Sequence, residues 1–159
     1  MSLASPRSLL AGIAGVSLLA VAAALYTQHA WNMPPCAWCV LQRLVVVAVA
    51  AAALLGLALP GAIGRRLGAA LALLLAALGL AAALWQHFVA NQSASCNMTL
   101  ADKVVGATGL DRTLPEVFAA YASCAEAQVD LAGVPYEWWS AALFTLLSLA
   151  ALRVALRPT

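Results

Sequence analysis

Pro34-Pro35-Cys36-Ala37-Trp38-Cys39-Val40-Leu41-Gln42-Arg43 marks the place where a polar turn gives way to a long apolar run. The Pro pair cannot continue a helix from upstream, so a new helix is expected to start near Cys36 or Ala37. Arg43 lies four residues after Cys39, which puts guanidinium and thiol on one helix face. A cation there stabilises a thiolate, the more so at a membrane edge where water screens it less. Two cysteines spaced as Cys36 and Cys39 are open and close as a disulfide with little backbone movement. The same spacing also makes half of a zinc knuckle, so taken alone it leaves redox and metal chemistry both open.

The rest of the chain narrows the choice. Of its 159 residues 65% are hydrophobic and 9% charged, which excludes an ordinary soluble domain. Apolar stretches at about 9–30, 38–59, 67–89 and 138–155 each approach the ~20 residues that cross a ~30 Å hydrocarbon core as a helix. The expected fold is therefore all-α, a membrane-embedded four-helix bundle forming a single domain over residues 1–159. The first stretch exceeds the ~7–15 apolar residues of a signal peptide, so it is expected to remain as a helix.

Charge sets the orientation. All six acidic residues lie between the third and fourth spans, while Arg7, Arg65, Arg66, Arg153 and Arg157 lie at the opposite helix ends. The positive-inside rule then puts both termini and the 60–66 turn in the cytoplasm. The five tryptophans, 31, 38, 85, 138 and 139, are expected at the outer interface. All four cysteines (36, 39, 96 and 124) then share the outer side, where disulfides are permitted. The net charge of +2 follows from this topology and is no argument for nucleic acid.

Residues 90–137 are too long for a mere connector. Thr99 is a candidate N-cap for a short helix stopping at Gly106, and Thr113-Leu114-Pro115-Glu116 is a capping-box pattern predicting another to about Tyr121. Val104, Val105, Leu110, Leu114, Val117 and Phe118 are expected to rest on the membrane surface. A disulfide between Cys96 and Cys124 would close 29 residues, contributing about 3.6 kcal/mol by loop-closure entropy. It reads either as a staple or as an exchangeable bond open to a partner's thiol. His29 and His87 at the outer helix ends are also candidates for haem ligands, and the four cysteines for zinc, both weaker readings.

Taken together, Pro35-Cys36-x-x-Cys39-x-x-Gln42-Arg43, Trp85-x-His87, Leu114-Pro115-x-x-Phe118, Cys96 and Cys124-Ala125-Glu126 resemble the disulfide bond formation protein B (DsbB) family of bacterial inner membranes. The resemblance runs from the first span to the last. It implies an inner-membrane enzyme that reoxidises a periplasmic thioredoxin-fold dithiol oxidase (DsbA-like) and passes the electrons to a membrane quinone, ubiquinone or menaquinone. On that reading Cys96–Cys124 is the disulfide attacked by the partner, and Cys36–Cys39 receives the electrons. Cys39 then faces the quinone, Arg43 holds or polarises it, and His87 lies nearby. Ala37-Trp38 is bulkier than the family pattern leads one to expect, so Trp38 is expected to alter the pair's potential or crowd the ring. Two alternatives stand beside this one: a vitamin K epoxide reductase-like thiol oxidoreductase, and a structural membrane protein with a stapled loop.

Overall fold

The computed structural model describes residues 5–92 and 98–156. Four long helices carry the fold: α1 (Pro6–Ala30), α2 (Ala37–Ala58), α3 (Gly61–Phe88) and, after the outer segment, α7 (Tyr136–Ala155). All four are long and apolar enough to cross a membrane, so the architecture is an all-α membrane bundle. Local chemistry sets their starts. Ser5 caps α1 by accepting from Ser8 N–H with Pro6 in the first turn, and Cys36 caps α2 by accepting on its sulfur from Cys39 N–H. The break between α2 and α3 is confined to Leu59 and Pro60, so Arg65 and Arg66 lie inside α3 rather than in the turn where they were expected. One Pro at the N-cap suffices to reverse the chain, because it ends α2 and supplies the extended φ/ψ that starts α3.

Lipid offers apolar helices no hydrophobic drive to associate, so close packing has to hold the bundle. Small residues provide it. Gly56 and Gly68 bring the α2 and α3 backbones together, and Gly79 makes room for the Phe144 ring of α7 against α3. Leu10, Ile13, Val49, Phe144, Leu147 and Val154 fill the centre, while Leu18, Leu19, Leu54, Leu71, Leu78 and Leu149 face outward. A Cβ at Gly79 would overlap Phe144. Gly79→Leu is therefore expected to destabilise the bundle by about 1–3 kcal/mol or more by overpacking, which thermal unfolding in detergent would register as a lower Tm.

The outer segment carries short helices, as expected, with different ends. Thr99 and Asp102 form a reciprocal capping box on α4 (Leu100–Thr108). The helix passes Gly106 and stops at Gly109, whose left-handed φ of 69° supplies the terminating conformation. Thr113 makes no capping box: its hydroxyl donates to the Gly109 carbonyl, closing α5 (Leu110–Thr113), and α6 (Pro115–Phe118) ends before Tyr121. Val105 and Phe118 are buried against Val40 of α2, with Leu110 and Val117 beside them, so only Val104 and Leu114 of the six surface candidates are exposed. A small hairpin absent from the sequence reading, β1 (Asp130–Leu131) with β2 (Val134–Pro135), turns through Ala132 and Gly133 at positive φ and leads into α7. Trp139 Nε1 donates to Leu131 O at 3.2 Å and pins the hairpin to that helix.

Candidate active site

Three sulfurs meet where the outer segment crosses the start of α2. The Pro35 carbonyl accepts from Tyr121 N–H at 2.9 Å and Ala122 N–H at 3.3 Å, and Cys36 forms a parallel bridge with Ala122. This pairing lays residues 121–124 along the Cys36 turn. A second local device holds the Cys124-Ala125-Glu126 turn: the Glu126 carboxylate accepts from Ser123 N–H and Oγ–H, while Ser123 Oγ accepts from Glu126 N–H. Those bonds hold the Glu126 carboxyl below its usual range, so the turn keeps them above the ordinary carboxylate pKa and loses them as pH falls through the lowered one.

Cys36 is fully buried, with its Sγ 2.8 Å from Cys39 Sγ and its thiol hydrogen-bonded to that of Cys124. Its pKa is pushed up, first by the bond to Cys124, then by the bond to Cys39 and by burial. That of Cys124 is lowered, chiefly by the same bond from Cys36 and against the opposing effect of burial. Cys36 therefore keeps the proton and Cys124 takes on thiolate character, which makes it the stronger nucleophile. Alkylation of Cys124 by iodoacetamide in the reduced protein is expected to titrate below an ordinary thiol. In Cys36→Ala the midpoint should move up towards the ordinary value; a midpoint that stays put would mean the bond has no effect on Cys124.

Below the sulfurs a cavity of about 300 Å³ opens between α1, α2, α7 and the hairpin. Its walls are largely apolar, with Ala20, Ala24, Val46, Leu143 and Phe144 among them. Cys39, Gln42, Arg43 and Val46 all reach it because positions three and four apart share a helix face. Arg43 is 7% exposed; its Nη1 donates to Gln28 Oε1 at 2.9 Å and Val117 O at 2.6 Å, while its Nε is buried without a partner. Gln42 Nε2 donates to Gln86 Oε1 at 2.6 Å, and Gln86 Nε2 donates to Cys39 Sγ at 3.4 Å. Negative charge arriving on Cys39 thus meets an amide N–H, the α2 N-terminus and a nearby guanidinium.

The structure brings together Cys36, Cys39, Cys124 and Arg43 from the sequence candidates. Cys96 lies outside the described residues, as does the Ser93 to Asn97 part of the outer segment. The expected Cys96–Cys124 bond therefore falls outside the described residues; Cys124 itself is a free thiol beside Cys36, brought there by the Ala122 bridge. His87 does not line the cavity; one residue earlier Gln86 does, and His87 turns to Glu137 at 2.8 Å instead. Trp38 is also away from the lining, buried beside Cys36 and tilted on Trp85 at 6.4 Å, so it does not crowd the cavity and is no part of an exposed belt. Gln28, Gln86 and Glu137 escaped the sequence reading as site residues. A polar residue inside an otherwise apolar span was the signal available for Gln86, whereas Glu137 counted only as one outer charge among six.

The profile described as "Disulfide bond formation protein DsbB" matches residues 6–154. Among curated proteins, the chain is similar to disulfide bond formation protein B of Aromatoleum aromaticum, 33% identical over 96% of this chain and 94% of that protein. It is similar also to the proteins of that name from Herminiimonas arsenicoxydans, 32% identical over 95% and 96%, and Stutzerimonas stutzeri, 34% identical over 88% of each.

Proposed function

We propose, since the chain belongs to the disulfide bond formation protein B family and is a multi-pass membrane disulfide oxidoreductase, that it reoxidises a periplasmic DsbA-like dithiol with a membrane quinone as final acceptor. The observation that carries this reading is the sequence of contacts Cys124, Cys36, Cys39, cavity. Disulfide exchange needs an attacking thiolate and a reachable sulfur. A partner thiolate attacks Cys96 of a Cys96–Cys124 bond and frees Cys124; the partner's second thiol then closes its own disulfide and leaves Cys96 reduced. Cys124 attacks Cys36 of the Cys36–Cys39 bond and expels Cys39 as thiolate. Cys96 then recovers Cys124, and Cys36 and Cys39 are left carrying both electrons.

The residues at the cavity suit a quinone head. Its volume is at the lower end of the ~300–1,000 Å³ typical of small-ligand pockets, its walls are apolar, and the buried Arg43 Nε lacks an acceptor. A bound quinone supplies the two-electron sink that lets Cys36–Cys39 close again. Arg43 and Gln86 hold the charge that gathers on oxygen and on Cys39. α1 and α7 touch less extensively than α1 with α2, α2 with α3 or α3 with α7, and the gap between them offers an isoprenoid tail a way into lipid. The distribution of Arg65, Arg66 and Arg153 away from the thiols supports an inner-membrane placement with both termini cytoplasmic, and the whole chain then works as one four-helix unit.

The test is stoichiometric. Purified protein mixed with a reduced DsbA-like oxidase and ubiquinone-1 should consume quinone absorbance in step with partner thiols, one quinone per dithiol. Thiol oxidation that proceeds without quinone loss, or neither reaction, would sink the proposal.

A further inference from the structure

Glu137 is a buried acid that the thiol chemistry leaves unused. It stands in the first turn of α7, only 6% exposed, in the wall of the cavity that Cys39 and Arg43 also line. A carboxylate withdrawn from water needs compensating donors. Glu137 Oε1 has them in Asn91 Nδ2 and His87 Nδ1, each at 2.8 Å. His87 is 29% exposed, outside the cavity lining, with its ring edge-on to Phe88 and Trp138 at 4.9 and 5.0 Å. Asn91 belongs to the helical turn Ala90–Gln92 at the outer end of α3, where Gln128 Nε2 donates to its carbonyl at 2.8 Å. Glu137 thus lines the cavity, while its partner is part-exposed outside the lining at the end of α3.

We propose that Glu137 and His87 form a proton relay from outer water to the oxygen of a quinone held in the cavity. The proposal rests on the quinone reading above. Reducing a quinone to a quinol takes two electrons and two protons. The electrons come from Cys36 and Cys39 as their disulfide closes; one thiol proton passes from Cys39 to a quinone oxygen and the other leaves to outer water. Protonated His87 passes its Nδ1 proton to Glu137, the Glu137 carboxyl passes one to the quinol oxygen, and His87 regains a proton from water. One passage supplies the oxygen nearer Glu137 and the thiol proton from Cys39 supplies the other, so two protons are released at sulfur and each oxygen takes up one. Acid transfer of this kind contributes typically 10²–10⁴-fold to a rate.

Other titratable groups facing the cavity are few. From α2 come Cys39 and Arg43, and from α7 Tyr136; α1 and the residues around the hairpin bring none to the lining. These groups are present in wild type and variants alike, so each variant's rate is divided by the wild-type rate at the same pH.

The experiment uses the full chain in nanodiscs, pre-reduced and mixed with ubiquinone-1, as wild type, Glu137→Gln and His87→Gln. Glutamine at either position keeps hydrogen-bonding capacity and carries no transferable proton. Binding is read separately from quenching of tryptophan fluorescence, since Trp139 lines the cavity. Ubiquinone-1 affinity is expected to stay within about twofold of wild type, while the rate ratio falls about 100-fold at mildly acidic pH. Raising the pH, which withdraws protons from the relay in wild type too, should bring the ratio back towards one. His87→Gln should trace the same curve, and it carries the test if Glu137→Gln does not fold. A ratio flat across pH, or a loss wholly explained by weaker binding, overturns the relay and leaves the quinone site standing. Wild-type protein that neither binds ubiquinone-1 nor loses thiols to it overturns the quinone reading, and the relay with it.

Discussion

Cys39→Ser is expected to abolish quinone-linked turnover and, in the same protein, to trap a disulfide between Cys36 and Cys124. The two effects share a cause. Cys36 lies fully buried between two sulfurs, 2.8 Å from one and hydrogen-bonded to the other. With Cys39 removed, the Cys36 thiolate attacks Cys124 of the proposed Cys96–Cys124 bond and expels Cys96, and no Cys39 thiolate is left to resolve the new bond. Residues acting as a unit lose almost everything when one is removed, so turnover should fall on the order of a thousandfold or more. Non-reducing peptide mapping reads the trapped bond, and oxygen-free quinone assays read turnover. Recovery of Cys124 only with Cys96 would break the proposed exchange route at its central step. A Cys36→Ser protein should lose turnover equally but trap nothing at Cys124, which separates loss of the acceptor sulfur from loss of the leaving one.

Arg43→Met should be the next most damaging change, because Arg43 holds both architecture and chemistry. Its Nη1 ties Gln28 of α1 to the Val117 carbonyl of α6, and Gln28 Nε2 passes the tie to Glu116 O at 3.1 Å. Its Nε is buried without a partner, and the residue lines the cavity. Hydrogen bonds to charged groups are worth about 1.5–3 kcal/mol each, so losing one to a quinone oxygen should cost about 10- to 100-fold in kcat/KM. Arg43→Lys separates the two roles. Lysine keeps the charge but not the planar fork, so it cannot serve Gln28, Val117 and a quinone oxygen together. The KM for ubiquinone-1 is expected to rise in Arg43→Lys with stoichiometric oxidation of the partner dithiol intact. If KM stays at the wild-type value in both variants while Tm falls, Arg43 is an anchor only.

Which parts of this site were open to a reader of the chain follows from the range of the forces involved. The four spans are compositional, since any stretch of about 20 apolar residues must cross or be buried, and α1, α2, α3 and α7 lie where hydropathy puts them. Cys39 and Arg43 were readable as one face because helix periodicity is local. So was the Thr99 cap, which needs only Asp102 three residues on. The end of α4 was misjudged for the same reason turned round. A glycine ends a helix only where the chain takes a left-handed φ, which Gly109 does and Gly106 does not.

Contacts between distant segments were beyond the sequence. Cys124 reaches Cys36 because Ala122 pairs with the Cys36 turn, a bridge spanning more than eighty residues that no local pattern encodes. The choice of Gln86 over His87 at the cavity depended on the rotation of α3, and that is set by how Gly68 and Gly79 seat it against α2 and Phe144. Glu137 looked like one surface acid of six until α7 packed against α3 and turned it inward onto His87 and Asn91. Composition and periodicity determined that this chain is a membrane bundle with its thiols at one end. Helix rotation and one loop-to-turn bridge, both set by packing between residues far apart in the chain, decided which side chains those thiols meet.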